Sequence, residues 1–183
     1  AGTSKASPPN WEIDELQEKL VQEWAEAKNL WSDTAEQDIE SEYGSMIAKG
    51  AEAKVFYRDG DTSVIKIRTS IYATLERAFE SIVLHNSLFS ETPMNVIGFT
   101  RDEDGLFRTI LTQPYIGCKR LATKQEIDDM VSQKGFRDNY NGQGVNYIGN
   151  RLHLEDMHPA NVFIDNISEK PVCIDCIIKF VKK

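Results

Sequence analysis

The chain has 183 residues, a net charge of -8 and 40% hydrophobic residues, enough for one domain or two small lobes. That acidic balance leaves no basic face for nucleic acid, and Lys179, Lys182 and Lys183 at the C-terminus read as solubilising rather than as a binding patch. No apolar run is long enough to cross a bilayer, so no membrane partner is expected. The N-terminus lacks the charged-then-apolar pattern of a secretory signal, and its 3 cysteines suit a reducing, cytoplasmic setting. The first residue is Ala1, so a fragment or processed chain is expected.

Residues 1–10, ending in Pro8-Pro9-Asn10, read as extended, with Asn10 available as a helix cap. From Trp11 to Asn29, the residues Ile13, Leu16, Leu20, Trp24 and Ala27 recur at three- and four-residue steps. This predicts an amphipathic helix packed on the body of the domain. A second helix is predicted from about Thr34 to Tyr43, with Asp33 and Glu36 spaced as a capping box and Gly44 as its stop. Residues 1–45 therefore form a helical extension.

The pattern then changes to strands. Lys54–Arg58 and Ser63–Arg68 flank Asp59-Gly60-Asp61 as a hairpin, and Met46–Lys49 adds a third strand or turn. Ala73–Phe89 returns to helical spacing, with Glu76 and Glu80 on one face. Val96–Thr100 and Leu106–Gln113 are two more strands, so residues 46–113 read as an antiparallel sheet with one inserted helix. Pro114-Tyr115-Ile116-Gly117 marks a lobe boundary, with 114–183 as a small second lobe. There Thr123 and Glu126 open a helix through about Gln133 that Gly135 stops, and 135–150 reads mostly as loop.

Four places carry chemistry. Small residues around Gly50 and Ala51 let backbone N–H groups approach a phosphate, although an ordinary hairpin has the same composition. Lys66 sits on the strand face alternate to Ile65 and Ile67, as either an outward surface lysine or a lysine that reaches phosphate oxygens. Glu76 or Glu80 on the next helix is a partner for its ammonium or part of a solvated face. Finally, Asp156, His158, Pro159 and Asn161 form D-x-H-P-x-N before the apolar run Val162-Phe163-Ile164, and Asp175 closes a second apolar segment. Two carboxylates and an amide so arranged supply the oxygen ligands that Mg²⁺ takes alongside substrate phosphates. Cys173 and Cys176 form a C-x-x-C. On one strand, residues three apart point to opposite faces and no second pair exists, so metal or redox use is not expected.

In this order the motifs resemble those of protein-kinase-like phosphotransferases across residues 46–176. Ile47–Phe56 resembles the glycine-rich loop, with Gly50 kept and Ala48 and Ala53 at the flanking glycines. Val64-Ile65-Lys66 resembles V-A-I-K, and Leu154–Asn161 the catalytic loop. D-x-H-P-x-N is similar to the loop of aminoglycoside phosphotransferases. The front half, with W-S-D-T-A-E from Trp31 and G-A-E-A-K-V from Gly50, looks most like the polyvalent kinase-like domains of bacterial mobile elements.

The resemblance implies an α+β, two-lobed kinase-like fold with a truncated second lobe, and an ATP/Mg²⁺-dependent phosphotransferase. It assigns Asp156 to the nucleophile's proton, Asn161 and Asp175 to Mg²⁺, and Lys66 to the α/β-phosphates. Glu80 or Glu76 would pair with Lys66, Gln113 to Ile116, including Tyr115, would meet the adenine, and His158 would donate to the γ-phosphate or serve the loop's own structure. Leu154 and Glu155 stand where protein kinases carry His-Arg, and Cys176-Ile177 follow Asp175 in place of Phe-Gly. Only eight residues follow Asp175, so a peptide-substrate platform is expected to be absent or supplied elsewhere. A catalytically inactive nucleotide-binding or interaction module, or a small-molecule kinase, are the alternatives. The phosphoacceptor is not written in the sequence.

Overall fold

A computed structural model describes residues 10–33, 36–50, 52–69, 74–139 and 145–181. The expected extended segment 1–9, Ala51, the side chains of the Asn10 cap and of Glu36 in the Asp33–Glu36 capping box, and loop residues 140–144 lie outside the described residues. The protein is mixed α+β and divides into two compact units. One comprises the chain up to Ala78 with Asn95–Thr112, the other Phe79–Met94 with Gln113–Lys183.

The first unit contains α1 (Asn10–Ala27), β1 (Trp31–Ser32), α2 (Glu36–Tyr43), β2 (Ser45–Lys49), β3 (Ala53–Tyr57) and β4 (Ser63–Thr69). Helix α3 (Leu75–Leu88) belongs to this unit up to Ala78 and to the second from Phe79. β5 (Asn95–Arg101) and β6 (Phe107–Pro114) complete the sheet, whose order is β1-β5-β6-β4-β3-β2. The predicted hairpin pairs Val55 with Lys66 and Phe56 with Ile65, and β2 is the anticipated third strand. Alternation on β3 and β4 sends Phe56, Ile65 and Ile67 into one cluster with Ile39 and Ile110. Each such side chain contributes roughly 1.5–3 kcal/mol on burial.

Two features of this unit differ from expectation. β1 is an unforeseen edge strand that runs parallel to β5, pairing Trp31 with Phe99, so the sheet is not wholly antiparallel. Of the stripe assigned to the inward face of α1, Ile13 is half-buried but the rest is turned outward, with Leu16 at 58%, Leu20 at 55% and Trp24 at 51% exposure. The inward face instead carries Gln17, Glu18, Val21, Gln22 and the buried Ala25. It turns that way because Arg101 on β5 offers polar partners, donating to Glu18 Oε2 at 3.1 Å and Gln22 Oε1 at 3.4 Å, while Trp24 meets Phe99 only edge-on.

Helix α2 stops where predicted. Gly44 has φ +95, and a Cβ there would stand 2.3 Å from the Tyr57 carbonyl oxygen. Gly44→Ala therefore combines left-handed strain with a backbone clash, and is expected to cost about 2–4 kcal/mol. A lower denaturant midpoint at unchanged slope would register it.

The second unit adds β7 (Cys118–Leu121), α4 (Lys124–Gln133), β8 (Arg137–Asp138), β9 (Tyr147–Gly149) and β10 (Leu152–Glu155). A 3₁₀ turn at Pro159–Asn161 leads to β11 (Val162–Asp165), β12 (Pro171–Cys173) and β13 (Ile177–Phe180). Two small sheets result, β13-β10-β9-β8 and β12-β11-β7. Stretch 135–150 thus holds two short strands where loop was expected, because Tyr147 pairs with both Leu154 and Asp138. The core gathers Phe89, Ile127, Tyr147, Leu154, Met157 and Val162.

Helix α4 bears out its sequence signals. Thr123 and Glu126 form the full capping box, and Gly135 takes φ +84 just beyond the end. Glu126 also receives both guanidinium donors of Arg120, and this ion pair with the capping bonds holds its carboxyl down at about 2. A carboxyl depressed below its unfolded value of about 4.3 adds stability above that pH, and the contribution disappears as pH falls toward 2. Glu126→Gln is expected to flatten the melting temperature's decline between pH about 4.5 and 2, read by calorimetry across that range.

Candidate active site

β10 delivers the chain to Asp156, which adopts φ +62, a conformation that non-glycine residues adopt rarely and that concentrates at functional loops. The loop holds it there through several bonds. The Asp156 carbonyl accepts from His158 N at 2.9 Å and from Asn161 Nδ2 at 2.9 Å, and carboxylate Oδ2 accepts from the same Nδ2 at 3.0 Å. Asn146 Oδ1 accepts from Asp156 N at 3.4 Å.

His158 caps the following 3₁₀ turn, its Nδ1 accepting from Ala160 N at 3.2 Å. Its Nε2 lies 3.3 Å from Asp156 Oδ1 and 3.3 Å from Asn161 Nδ2. Both ring nitrogens therefore face groups of the loop itself. Pro159 fits the first position of the turn, where no N–H is needed.

Asp175 reaches this loop through β11 and β12. Val162 pairs with Cys173, and Ile174 N donates to the Asn161 carbonyl at 2.9 Å, so Asn161 and Asp175 stand at one end of the same hairpin. Asp175 lies two residues beyond β12 rather than on it. Thr92 Oγ1 donates to the Cys173 carbonyl at 2.5 Å, and the Thr92 carbonyl accepts from Gln113 Nε2 at 2.8 Å. Gln113 is buried and its amide serves this internal support, while Tyr115 is exposed.

The second unit thus brings Asp156, His158, Asn161 and Asp175 together. Gly50 and Lys66 belong to the first unit, and Glu80, Gln113 and Tyr115 to the second. Lys66 is only 4% exposed, so the outward surface lysine is overturned: β4 is buried on both faces along Val64–Arg68. Glu80 is half-buried and Glu76 exposed. Gly50 N donates to the Ala53 carbonyl at 2.8 Å, and a Cβ on Gly50 would meet only that oxygen, at 3.8 Å, so this turn does not demand glycine.

A cleft of about 280 Å³ opens beside Gly50 and Ala53, lined also by Asp102, Glu103 and Asp104. Glu52 is a fourth acid there, but Lys49, Lys54 and Arg108 line the cleft too, so its charges nearly balance, and Lys66 is not among its lining residues.

The profile of the family described as Serine/Threonine/Tyrosine Kinase found in polyvalent proteins matches residues 14–182. The chain belongs to this kinase family. No curated protein matches it. The family match spans every residue named above, from Gly50 to Asp175, and supports a kinase-like function in general terms.

Sequence reasoning missed the supports of this kinase domain, chiefly Thr92 and Asn146. Thr92 acts through bonds to Cys173 and Gln113 and Asn146 through one to Asp156, relations that leave no periodicity or spacing to read. Among the described residues no helix is long and apolar enough to cross a membrane.

Proposed function

We propose that the domain is an ATP- and Mg²⁺-dependent phosphotransferase that acts on a hydroxyl acceptor. The observation that carries this reading is the Ile174 N to Asn161 carbonyl bond, which sets the Asn161 amide beside the Asp175 segment while Asn161 Nδ2 holds Asp156. With Nδ2 committed to two oxygens of Asp156, the amide orientation is fixed and Oδ1 faces away from that carboxylate. Amide and carboxylate oxygens are the hard donors that Mg²⁺ prefers, so the residues present fit the ion.

Asn161 Oδ1 and the Asp175 carboxylate would hold it. Bound Mg²⁺ supplies neutralisation of the charge on the phosphate oxygens. Asp156 accepts or orients the acceptor hydroxyl's proton, in a rotamer fixed by Asn161 Nδ2 with His158 beside it. Lys66 supplies the ammonium for the α/β-phosphates, with Glu80 or Glu76 as its partner. Backbone groups at Gly50–Ala51 serve the phosphates, and those at Gln113–Tyr115 the adenine. Such a site works by positioning and charge neutralisation, with little covalent chemistry by the protein.

A non-catalytic nucleotide-binding module is the second reading. The Gly50 turn, whose geometry does not require glycine, and Cys176 in the position after Asp175 favour it. ADP release separates the two. The enzyme reading expects ADP release with ATP and Mg²⁺, lost on chelation with EDTA and restored by added Mg²⁺. Nucleotide binding without ADP release supports the module.

A further inference from the structure

Outside the loop just described, three ligand-type side chains converge in the core of the second unit. The sulfurs of Cys173 and Cys176 and a ring nitrogen of His85 all lie within 4.8 Å of one another, and each residue is at most 2% exposed. The expectation that Cys173 and Cys176 face apart fails because β12 ends at Cys173 and β13 begins at Ile177. The intervening turn swings Cys176 inward beside its neighbour.

His85 is prepared as a ligand. Its Nε2 lies 3.0 Å from the Thr92 carbonyl, which can only accept, so the proton sits on Nε2. The Nδ1 lone pair then points at Cys176 Sγ, 3.6 Å away. A metal-bound histidine shows this arrangement, its far nitrogen fixed by a backbone carbonyl. Tetrahedral Zn²⁺ holds sulfur at about 2.3 Å and nitrogen at about 2.0–2.1 Å, which sets neighbouring ligands roughly 3.5–3.8 Å apart. The His85–Cys176 separation already meets that spacing. The Asp175 carbonyl, 3.1 Å from Cys173 Sγ, and Met157 Sδ, 3.8 Å from the same sulfur, are the nearest candidates for a fourth position.

We propose that Cys173, Cys176 and His85 form a buried site for a divalent ion of zinc type. Two thiolates, a neutral imidazole and a divalent cation sum to zero charge, the condition under which a water-free core accepts ions. The sulfur donors select zinc-like metals over Mg²⁺. Asp175 lies between the two cysteines in sequence, so an ion there clamps the turn that carries it. The site stands independently of the phosphotransferase reading.

Co²⁺ is the spectroscopic probe. Titrated into the reduced full chain, it is expected to bind one per chain, with thiolate-to-cobalt charge transfer and the intense visible bands of a tetrahedral ion, displaced by Zn²⁺. Cys173→Ser and Cys176→Ser should each weaken binding at least roughly 100-fold, and His85→Gln should weaken it as well. Cys118→Ser, which alters the exposed cysteine, should change nothing. Weak octahedral bands, bands surviving in both cysteine variants, or bands lost in Cys118→Ser would each overturn the proposal. If the core variants do not fold, peptide-resolved alkylation of the wild type in mild denaturant decides. Zn²⁺ should protect Cys173 and Cys176 but not Cys118, and equal labelling with and without Zn²⁺ overturns the site.

Discussion

Asp156→Asn is expected to lower phosphoryl transfer by roughly 100- to 10,000-fold while leaving Mg·ATP affinity and the melting temperature unchanged. The substitution keeps shape and removes the carboxylate. The bond from Asn161 Nδ2 to the Asp156 backbone carbonyl at 2.9 Å does not depend on the side chain, so the loop keeps its main anchor. The single amide oxygen can still accept from Asn161 Nδ2, which preserves the rotamer. What disappears is a group able to take a proton from the acceptor hydroxyl. Asparagine already favours left-handed backbone, so the φ of +62 adds no new strain. ADP release and nucleotide titration on the same preparation read the two quantities separately. Full turnover in Asp156→Asn would remove this residue from the chemistry.

Asp175→Ala is the second large effect. Asn161 and Asp175 are the only residues to which the proposal assigns the metal, and Mg²⁺ takes few protein ligands alongside substrate phosphates. Losing the one charged ligand should cut turnover by roughly 100- to 1,000-fold, the scale on which one preorganised electrostatic group contributes. It should also abolish the Mg²⁺-dependence of nucleotide affinity. The turn itself should survive, because its main-chain bonds from Ile174 N to Asn161 and from Thr92 Oγ1 to Cys173 do not involve the carboxylate. Circular dichroism would confirm the retained fold, and ADP release at several Mg²⁺ concentrations would measure the loss.

What the sequence made legible was local. The α4 capping box and its glycine stop, the β3–β4 hairpin and the D-x-H-P-x-N loop are each written in residues a few positions apart, and each forms as expected. The inward face of α1 was not legible, because its apolar stripe competes with Glu18 and Gln22, whose partner Arg101 is about 80 residues distant. Lys66 was half legible: alternation assigned it a face, while its burial depends on what covers β4. The role of Gln113 was obscured likewise, since its amide is spent on Thr92, which nothing in the chain's periodicity marks. The C-x-x-C was misjudged by treating 172–175 as one strand. Where β12 ends decides the direction of Cys176, and strand ends are set by pairing partners rather than by the strand's own residues.

The central claim is that Asn161 and Asp175 hold Mg²⁺ against a nucleotide's phosphates. Calorimetric titration of a non-hydrolysable ATP analogue into the wild-type chain, with and without Mg²⁺, tests it most directly. The account predicts binding at one site per chain that tightens markedly when Mg²⁺ is present. Absence of binding by the well-folded protein, or binding indifferent to Mg²⁺, would contradict it.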